Sequence, residues 1–439
     1  MKLSHMKRFV TALLLIAPLE QASAQTQIQH VVVIMQENRS PDNFFHGFPG
    51  ADIATTGVNS KGQIITLEQI PLVSHYGPEH EYGSFQIMYD HGKMDGADLL
   101  SVRCGPNPHQ IICPPPNPQF KYVNPADVQP YFQMAEQYVF GDRMFATHQG
   151  PSFEAHQYLI SGTSAPSNPS NFLAADNPLG IPHANWNTGC TAPPQEYVPL
   201  IDFDGKRLYR AFPCFTHPTL IDLLDAAGIT WRYYAPTANS LWTGPNAIST
   251  IRNGPDWANV ILNPSQILTD VTSGQLASVS WVIPDSQESD HPNGNNGSGP
   301  SWVASIVNTI GSSPYWTSTA IFITWDEWGG WYDHVAPPTP FYHSYELGFR
   351  VPLIVVSPYA KQAYVSHVQH DFGSFLKFTE EVFALGLING QEYADSRADD
   401  LADCFNFNRK PRPFHAIPAK LPASYFIHKP RVTDDIDDE

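Results

Sequence analysis

The fold class is decided by the stretch His30-Val31-Val32-Val33-Ile34-Met35-Gln36, which is followed directly by the polar residues Glu37-Asn38-Arg39-Ser40. An apolar run rich in β-branched residues is typical of a strand buried on both faces of a parallel sheet. Residues 319–325 form a second run of this kind, and residues 372–385 have the spacing of an amphipathic helix. Strands that alternate with helices indicate an α/β fold, in which helices cover both faces of a central, mostly parallel sheet.

Length and composition exclude several classes of protein. The chain has 439 residues, of which only 15% are charged, and it carries a net charge of −18 with 41 prolines and 29 glycines. Coiled coils need charge-rich, proline-poor helices, and an acidic chain without a basic run repels nucleic acid. A hydrophobic fraction of 42% is enough to bury a large core. We therefore expect a folded enzyme that binds no nucleic acid, with residues 25–439 in a single domain and the proline-rich stretches as long loop excursions.

The N-terminus has the layout of a secretory signal peptide. Basic residues precede the apolar residues 9–19, and Ala22-Ser23-Ala24 forms a small-x-small cleavage site. An uncleaved membrane anchor is the alternative, but the apolar run is too short to span a bilayer. The sequence predicts that the signal peptide, residues 1–24, is removed after Ala24 and that the protein is periplasmic or secreted. The acidic tail, residues 434–439, is expected to be frayed.

The cysteines fit an exported protein. Neighbouring cysteines in loops are natural disulfide partners in an oxidising compartment. This favours the pairs Cys104–Cys113 and Cys190–Cys214 and leaves Cys404 free. A zinc site is the alternative for these thiols, but the sequence contains no Cys-x-x-Cys pair.

Polar residues follow the two most apolar strands at the point where each ends. Glu37 and Asn38 come after the first strand, and Asp326 and Glu327 come after the strand at 319–325. Active sites of α/β sheets form beyond the carboxyl ends of the strands, and adjacent carboxylates repel each other unless a cation or a proton lies between them. The simpler interpretations are a helix capped by Ser40 in the first case and a surface turn in the second.

Further candidate residues lie in the predicted loops. Ser152 follows Gly150-Pro151 at an expected helix start, where it is either an N-cap or a nucleophile favoured by the helix dipole. His291 follows a predicted strand, and His80, Lys93 and Asp95 add groups that could bind an anion. Each of these residues is also consistent with an ordinary solvated loop.

These motifs occur in one order over residues 30–407. They are residues 30–40, His91-Gly92-Lys93-Met94-Asp95-Gly96, Gly150-Pro151-Ser152, Ser280-Trp281-Val282-Ile283-Pro284 with Asp290-His291-Pro292, residues 325–335, Gly348-Phe349-Arg350-Val351-Pro352 and Ser357-Pro358-Tyr359-Ala360. In this combination the sequence resembles the bacterial phosphoesterase family that contains phosphatidylcholine-type phospholipases C and a group of acid phosphatases, within the alkaline phosphatase superfamily. The resemblance implies an alkaline-phosphatase-like fold and the hydrolysis of phosphate esters.

The resemblance also implies roles for individual residues. Ser152 matches the nucleophile, which also touches the metal. The implied metal ligands are Glu37, Asn38, Asp326 and Glu327. The implied polar residues around the phosphate are His80, Lys93, Asp95, His291 and His334. Of these, His80, Lys93 and Asp95 are the predicted phosphate-binding residues, and His291 or His334 is predicted to protonate the leaving alkoxide. One departure is that Glu154-Ala155-His156 stands where family members often have Pro-Asn-Arg or Pro-Asn-His, so the amide contact of the family motif is not expected here.

The predicted mechanism follows from charge. One divalent cation in this site would offset the negative charge of the ester and ease removal of the Ser152 proton, so that Ser152 attacks phosphorus and forms a phosphoserine. Carboxylate and amide ligands favour Ca²⁺, Mg²⁺ or Mn²⁺, and Zn²⁺ is also compatible. Protonation of the leaving alkoxide by a histidine acting as general acid is worth about 10²–10⁴-fold in rate.

The substrate is left open between a phospholipid headgroup bond at a membrane surface and a small phosphomonoester. The alternatives in function are a sulfatase or phosphonate-type hydrolase of the same superfamily, and an inactive anion-binding protein. A phospholipase needs an exposed apolar rim, which Trp328, Trp331 and Tyr332 provide if they are not part of the core. The sequence does not indicate the oligomeric state.

Overall fold

The computed structural model describes residues 27–105, 113–180 and 187–432. The predicted signal peptide, residues 1–24, and the predicted frayed tail, residues 434–439, lie outside the described residues. Within the described ranges, the helices are all too short or too polar to cross a bilayer.

The strands of the described residues are short except for two at the centre of the molecule. In chain order they are β1 (His30–Gln36), β2 (Thr56–Val58), β3 (Ile64–Thr66), β4 (Glu68–Ile70), β5 (Tyr76–Pro78), β6 (Val102–Cys104), β7 (Lys121–Val123), β8 (Val139–Gly141), β9 (Phe172–Ala174), β10 (Val198–Asp202), β11 (Arg207–Ala211), β12 (Trp231–Tyr234), β13 (Val260–Ile261), β14 (Val279–Val282), β15 (Thr319–Trp325), β16 (Leu353–Val356) and β17 (Tyr364–Ser366).

The α-helices lie between these strands. In chain order they are α1 (Pro41–Phe44), α2 (Tyr82–Tyr89), α3 (Gln129–Gln137), α4 (Ser152–Ser161), α5 (Leu220–Ala227), α6 (Ser249–Arg252), α7 (Gln266–Thr272), α8 (Gly299–Gly311), α9 (Phe372–Val382) and α10 (Ala423–His428).

The largest sheet in the described part of the chain has eight strands in the order β13-β12-β14-β1-β15-β16-β8-β17. Its strands are parallel except for β16, which runs antiparallel to both of its neighbours, β15 and β8. Every residue of β14, β15 and β16 is buried, so both faces of the sheet are covered. The predicted α/β fold with a mostly parallel central sheet is therefore confirmed.

The register of the two central strands determines which residues meet at the carboxyl edge. β1 and β15 pair in parallel from His30 opposite Thr319 to Gln36 opposite Trp325. The pairing continues one step further, because the Asp326 amide donates to the Gln36 carbonyl at 3.0 Å. Glu37 and Asp326 therefore leave adjacent strands at the same level.

Helix α1 begins as the sequence suggested, at a serine cap followed by proline. Ser40 Oγ accepts a hydrogen bond from the Asn43 amide at 3.3 Å, and Pro41 is the first helical residue. Proline at this position loses no hydrogen bond, since the first N–H groups of a helix have no partner within the helix. The short helix turns the chain away from the sheet directly after Glu37 and Asn38.

Some elements of the structure were not predicted from the sequence. The short strands β8 and β17 extend the sheet beyond β16, and β9, β10 and β11 form a separate three-stranded antiparallel sheet. Trp328, Trp331 and Tyr332, for which the sequence left an exposed rim and the core as alternatives, are buried in the structure. The aromatic residues after β15 are therefore core, and they cannot form an exposed lipid-facing rim.

Both predicted disulfides are present. Cys104 is bonded to Cys113 and Cys190 to Cys214, and Cys404 is a buried free thiol. The zinc alternative for the four paired thiols is thereby excluded.

Close to the free thiol, His370 bridges two carboxylates on the far side of β17. Its Nδ1 lies 3.0 Å from Asp399 Oδ1 and its Nε2 lies 3.4 Å from Asp403 Oδ1. Burial lowers the pKa of His370, but hydrogen bonds to Asp399 and Asp403 outweigh burial and raise it to about 9. Burial raises the pKa of both carboxyls, yet the contact with His370 brings each below its usual value.

These shifts predict a pH dependence of stability. Because the folded-state pKa of His370 is raised, its contribution is complete below about pH 6.5 and is lost as pH rises through about 9. We expect His370→Gln to lower the free energy of unfolding by about 3 kcal/mol near pH 6 and by much less near pH 10. Urea unfolding of both proteins at the two pH values measures this. The exposed His428→Gln serves as control, and pH profiles that stay parallel for wild type and His370→Gln would contradict the assignment.

Candidate active site at the strand ends

The ends of β1 and β15 hold four polar residues in a fixed arrangement. The Asn38 amide donates to Asp326 Oδ1 at 2.9 Å, and the Arg39 amide donates to the Glu327 carbonyl at 2.9 Å. Asn38 has a φ of +60°, a left-handed conformation that asparagine tolerates better than most residues. The side chains of Glu37, Asn38, Asp326 and Glu327 are all fully buried. The four predicted metal ligands are therefore brought together, and the surface-turn interpretation of residues 326–334 does not hold.

Glycine is required where the turn after β15 passes this cluster. Gly329 has a φ of +68°, and a Cβ at this position would lie 2.4 Å from the Asn38 carbonyl oxygen. The Gly329 amide donates to Glu327 Oε2 at 2.8 Å. The glycine therefore lets the backbone pass close to Asn38, and its amide orients the Glu327 carboxylate.

Ser152 is the first residue of α4 and faces the carboxylates. Its Oγ lies 2.5 Å from Asp326 Oδ2 and 3.4 Å from Glu37 Oε2. The N-cap position belongs to Pro151, and the Ser152 side chain caps no amide of α4. The N-cap interpretation is therefore wrong. The hydroxyl lies at the N-terminus of a ten-residue helix, where the helix dipole favours negative charge.

His80 joins the cluster through Asn38. Its Nδ1 lies 3.0 Å from the Pro78 carbonyl oxygen, which can only accept, so this nitrogen carries the proton. Its Nε2 then accepts from Asn38 Nδ2 at 2.8 Å, while Nδ2 also donates to Glu327 Oε1 at 2.5 Å. His80 is thus positioned at the cluster, as expected for a residue near the bound phosphate.

His156 belongs to the cluster, although the sequence analysis did not assign it. Its Nε2 lies 3.4 Å from Glu37 Oε1, and its Nδ1 lies 3.2 Å from the Tyr233 hydroxyl. That hydroxyl donates to the Trp242 carbonyl at 2.8 Å, so it accepts from Nδ1 and leaves Nε2 directed at the carboxylates. The signal was present in the sequence, because Ser152 and His156 are four residues apart and share one face of α4.

The donor set fits a divalent cation. Ligand atoms of Glu37, His156 and Asp326 lie within 4.8 Å of one another. Asn38 Oδ1 is buried and accepts no hydrogen bond from the described residues. Buried carboxylates at this spacing repel each other, and an amide oxygen without a donor is costly, so a cation would satisfy both. Carboxylate and amide oxygens suit Mg²⁺, Ca²⁺ and Mn²⁺, and an imidazole nitrogen extends the set to Zn²⁺.

His291 lies at the edge of the cluster after β14. Its ring centre is 6.1 Å from that of His80 and 6.3 Å from that of Trp242. Its Nδ1 lies 2.6 Å from the Pro292 carbonyl oxygen, to which it donates, and this bond fixes the orientation of the ring.

Arg39 anchors the segment that carries His291. Its Nε and Nη2 donate to the Asp290 carbonyl at 2.9 and 2.7 Å. The Asp290 carboxyl accepts from the Tyr131 hydroxyl at 2.8 Å and from Trp325 Nε1 at 3.1 Å. Burial raises the pKa of Asp290 to about 7 despite these bonds, and burial lowers the pKa of Arg39 to about 10. The guanidinium therefore positions the loop, and its hydrogen bonds are directed away from the carboxylates.

The structure places His334 in a different network. Its Nδ1 lies 2.8 Å from Asp42 Oδ2 and its Nε2 lies 3.0 Å from Asp52 Oδ1. Burial lowers its pKa, but the hydrogen bond and charge of Asp42 raise it more, to about 9. Both nitrogens are therefore committed to carboxylates beside the Arg350–Asp333 ion pair, at 2.9 Å. This placement does not fit the predicted role of His334 as acid for the leaving group.

Lys93 and Asp95 are also not part of the cluster. The Lys93 side chain is 64% exposed, and its Nζ lies 2.5 Å from Asp90 Oδ2. Asp95 lies beside the same pair. Among the described residues the Lys93 ammonium contacts Asp90 at the surface and not the buried cluster, so its position does not support the predicted phosphate contact.

Fold and cluster together define the class of the protein. It is an α/β enzyme whose buried polar residues converge at the carboxyl ends of parallel strands, where such proteins carry their active sites. The chain belongs to the Phosphoesterase family, whose sequence profile matches residues 28–386.

Relatives with assigned names are phospholipases C. The chain is 25% identical over 451 residues to the non-hemolytic phospholipase C of Pseudomonas aeruginosa, which covers 89% of this chain and 59% of the relative. It is 23% identical over 449 residues to phospholipase C B of Mycobacterium tuberculosis, covering 88% of this chain and 79% of the relative. The chain therefore spans less than two thirds of the length of the first of these proteins.

Solved structures resemble this fold with low similarity scores and low sequence identity. A protein in the alkaline phosphatase superfamily from Vibrio parahaemolyticus aligns with a TM-score of 0.36 and 10% identity, covering 81% of this chain and 66% of the other. The phosphonate monoester hydrolase of Silicibacter pomeroyi aligns with a TM-score of 0.33 and 10% identity, covering 63% and 71%. Both scores are below 0.5, and we base no conclusion on them.

Proposed function

We propose that this protein is an exported, metal-dependent phosphoesterase that transfers a phosphoryl group to Ser152 and then to water. The observation that carries the proposal is the position of the Ser152 hydroxyl, 2.5 Å from Asp326 and 3.4 Å from Glu37 in a buried cluster at the strand ends. The family membership and the names of the relatives support phosphate esters as the substrate class. The two disulfides and the predicted signal peptide support export.

In the proposed reaction the Ser152 proton passes to Asp326, its nearest acceptor. Ser152 Oγ then bonds to phosphorus while the bond from phosphorus to the ester oxygen breaks. A divalent cation held by Glu37, Asn38, Asp326 and Glu327, with His156 as a further ligand, would supply positive charge against the phosphoryl oxygens. His80 lies where it can contact the phosphoryl group.

His291 is the proposed acid for the leaving group. In the first step Nε2 of the protonated ring gives a proton to the departing alkoxide. In the second step Nε2 takes a proton from the water whose oxygen bonds to phosphorus, the bond from phosphorus to Ser152 Oγ breaks, and Asp326 returns its proton to Ser152 Oγ. Arg39 supports this role by holding the Asp290 carbonyl, which fixes the backbone that carries His291. His334 takes no part in the proposed reaction.

We propose a phosphodiester of the phospholipid headgroup type as the substrate, with a small phosphomonoester as the second candidate. The relatives named phospholipase C favour the first. A sulfatase activity is the competing interpretation of the same arrangement. The inactive-protein alternative conflicts with the retention of Ser152 and of all four carboxylate and amide ligands.

A substrate panel tests this assignment. We expect the mature protein to hydrolyse p-nitrophenyl phosphorylcholine and phosphatidylcholine faster than p-nitrophenyl phosphate, and p-nitrophenyl sulfate at least about 100-fold more slowly, because the site is built for phosphoryl transfer. Initial rates of nitrophenolate and phosphorylcholine release measure the preference. A preference for the sulfate would refute the phosphoesterase assignment, and a preference for the monoester would replace the first substrate by the second.

A further inference from the structure

The hairpin of β10 and β11 presents apolar side chains to solvent. Leu208 is 64% exposed and Tyr209 is 59% exposed, and Phe203 and Phe212 at the two ends of this segment are also exposed. A second exposed aromatic pair, Phe341 and Tyr342, lies in the loop before β16. We call these residues the hairpin face: Phe203, Leu208, Tyr209, Phe212, Phe341 and Tyr342.

The two parts of the hairpin face are in contact. The Phe203 ring stacks on His343 with ring centres 4.9 Å apart, and the Ser344 amide donates to the Phe203 carbonyl at 3.2 Å. Tyr342 packs edge-on against the same His343 ring at 5.5 Å. The start of the hairpin and the loop pair therefore meet at His343, and a group of exposed apolar side chains is typical of a site that binds a protein or a membrane.

β11 is an edge strand without a cover in the described structure. It pairs with β10 on one side only, and four of its five residues are exposed. Natural proteins protect such edges with charges, bulges or a covering segment, because an open strand with apolar side chains promotes association. β11 has two of these protections, a bulge opposite Leu200 and Ile201 and the charges of its two arginines, and it still exposes Leu208 and Tyr209.

The charge of the hairpin differs from that of the whole protein. Residues 198–212 contain three basic residues and two acidic residues, a net charge of +1, in a chain whose net charge is −18. Arg207 is paired with Asp176, which leaves Lys206 and Arg210 as the basic residues that can meet an anionic surface. Lys206 and Arg210 are exposed, and Arg210 lies over the Tyr197 ring with 4.8 Å to its centre. Aromatic residues flanked by lysine and arginine are the composition found at membrane interfaces, where the rings enter the headgroup layer and the cations meet phosphate groups.

An ion pair and a hydrogen bond connect the hairpin to the helix that carries Ser152. Arg207 of β11 forms an ion pair with Asp176, and the Asp176 amide bonds to the Glu154 carboxyl. Glu154 is on α4, two residues after Ser152. In addition, Asn177 Oδ1 accepts from the Phe153 amide at 3.0 Å. A surface that rests on the hairpin face is therefore coupled through two contacts to the start of the nucleophile helix.

We propose that the hairpin face docks the enzyme on a phospholipid surface that carries anionic headgroups, so that the substrate is taken from the bilayer. The proposal rests on the proposed phosphoesterase function and names its substrate as a lipid in a membrane. A second copy of the chain fits the face less well. Pairing β11 with itself would bring together Arg207 and Arg210 of each copy, and like charges across a strand pair are destabilising.

Vesicle binding tests the proposal without requiring catalysis. Full-length mature protein carrying Ser152→Ala is sedimented with vesicles of phosphatidylcholine, alone or mixed with phosphatidylglycerol. We expect binding to both, and tighter binding to the mixed vesicles. Leu208→Asp with Tyr209→Asp should weaken binding by about tenfold or more, since it removes the apolar anchor. Lys206→Gln with Arg210→Gln should remove the preference for phosphatidylglycerol.

Matched controls separate docking from misfolding. Ile64→Asp replaces an apolar residue that is 75% exposed on β3, and it should bind vesicles as the parent does. With Ser152 restored, the Leu208→Asp Tyr209→Asp variant should keep its activity on soluble p-nitrophenyl phosphorylcholine and lose activity on vesicles by about tenfold. If the circular dichroism spectrum of the aspartate variant is altered, the Leu208→Ser Tyr209→Ser variant replaces it in both assays.

The outcomes distinguish this inference from the proposed function. Hydrolysis of the soluble ester without vesicle binding, or equal binding by the hairpin variants, overturns docking and leaves the phosphoesterase intact. Vesicle binding that depends on the hairpin, in a protein that hydrolyses no phosphate ester, overturns the proposed function. Self-association in light scattering that the hairpin variants abolish, with no affinity for vesicles, assigns the face to a second copy and overturns docking.

Discussion

Ser152→Ala is expected to reduce hydrolysis of p-nitrophenyl phosphorylcholine by about 10³-fold or more, because no other hydroxyl replaces it as the attacking group. Ser152 Oγ lies within 3.4 Å of two carboxylates and at the first position of α4. Removal of a nucleophile from a preorganised site leaves only the catalysis that binding and electrostatics provide. The variant should bind substrate or inorganic phosphate with nearly unchanged affinity.

The control for this variant is on the same helix. Ser161 is the last residue of α4, is buried, and lies 3.1 Å from His217 Nε2. Ser161→Ala loses a hydrogen bond worth about 1 kcal/mol of stability, but it should keep its activity. Acid quenching during turnover, followed by mass spectrometry of the peptide that contains Ser152, should detect a phosphorylated serine in the wild type. Full activity of Ser152→Ala refutes the nucleophile assignment.

Removal of the metal is expected to have an effect of similar size. Dialysis against a strong chelator should lower the rate by about 10²-fold or more, and addition of one divalent metal should restore it, because the buried carboxylates alone repel a phosphate ester. Asp326→Asn should lose both the bound metal and the activity. Metal content from mass spectrometry and the melting temperature give readouts that do not depend on turnover.

A second group of converging ligands provides the matched control. His370, Asp403 and Cys404 also place ligand atoms within 4.8 Å of one another, on the side of the sheet near β17. Asp403→Asn should leave the activity of the holoenzyme unchanged. If Asp403→Asn loses the metal and the activity while Asp326→Asn keeps them, the metal assignment at the strand ends is wrong. Turnover that is insensitive to the chelator contradicts metal dependence.

The core of the site was predictable because it follows from strand order and register. Glu37, Asn38, Asp326 and Glu327 directly follow the two most apolar runs, and parallel neighbours end at the same edge of a sheet. Ser152 was predictable from its position before a helical pattern. These inferences need only the local sequence and the rule that active-site residues follow the carboxyl ends of parallel strands. The large separation of residues 37 and 326 along the chain therefore did not prevent the prediction.

The loop residues were not predictable in the same way. Lys93 and His334 come from segments whose path depends on contacts that no local pattern encodes. Lys93 pairs with its neighbour Asp90 at the surface, and His334 is held by Asp42 and Asp52. The antiparallel direction of β16 had no local signal either, since an apolar run of four residues looks the same in both directions.

The aromatic residues show a different limit of prediction from sequence, which is that burial cannot be read from the residue type. Trp328 and Trp331 after β15 were open to two interpretations, and burial decided for the core. The exposed apolar surface lies instead on β11, whose sequence Arg207-Leu208-Tyr209-Arg210-Ala211 alternates too little to be recognised as a strand. Composition alone cannot tell which aromatic residues reach solvent, because that depends on what packs against them.

The central position of β1 has a consequence for how the chain reaches its native state. Its two neighbours, β14 and β15, come much later in the sequence. The His30–Ala277 hydrogen bond beside β14 joins residues 247 positions apart, and the Asn38–Asp326 hydrogen bond after β15 joins residues 288 positions apart. A chain that is synthesised or translocated from its N-terminus therefore carries the apolar segment 30–36 unpaired until β14 has emerged, and the segment is paired on both sides only after residue 325 has emerged. Folding of such a long-range pairing is slow and exposed to aggregation. We expect nascent chains truncated before β14 to remain bound to holdase chaperones, since both strands that pair with β1 are missing from them.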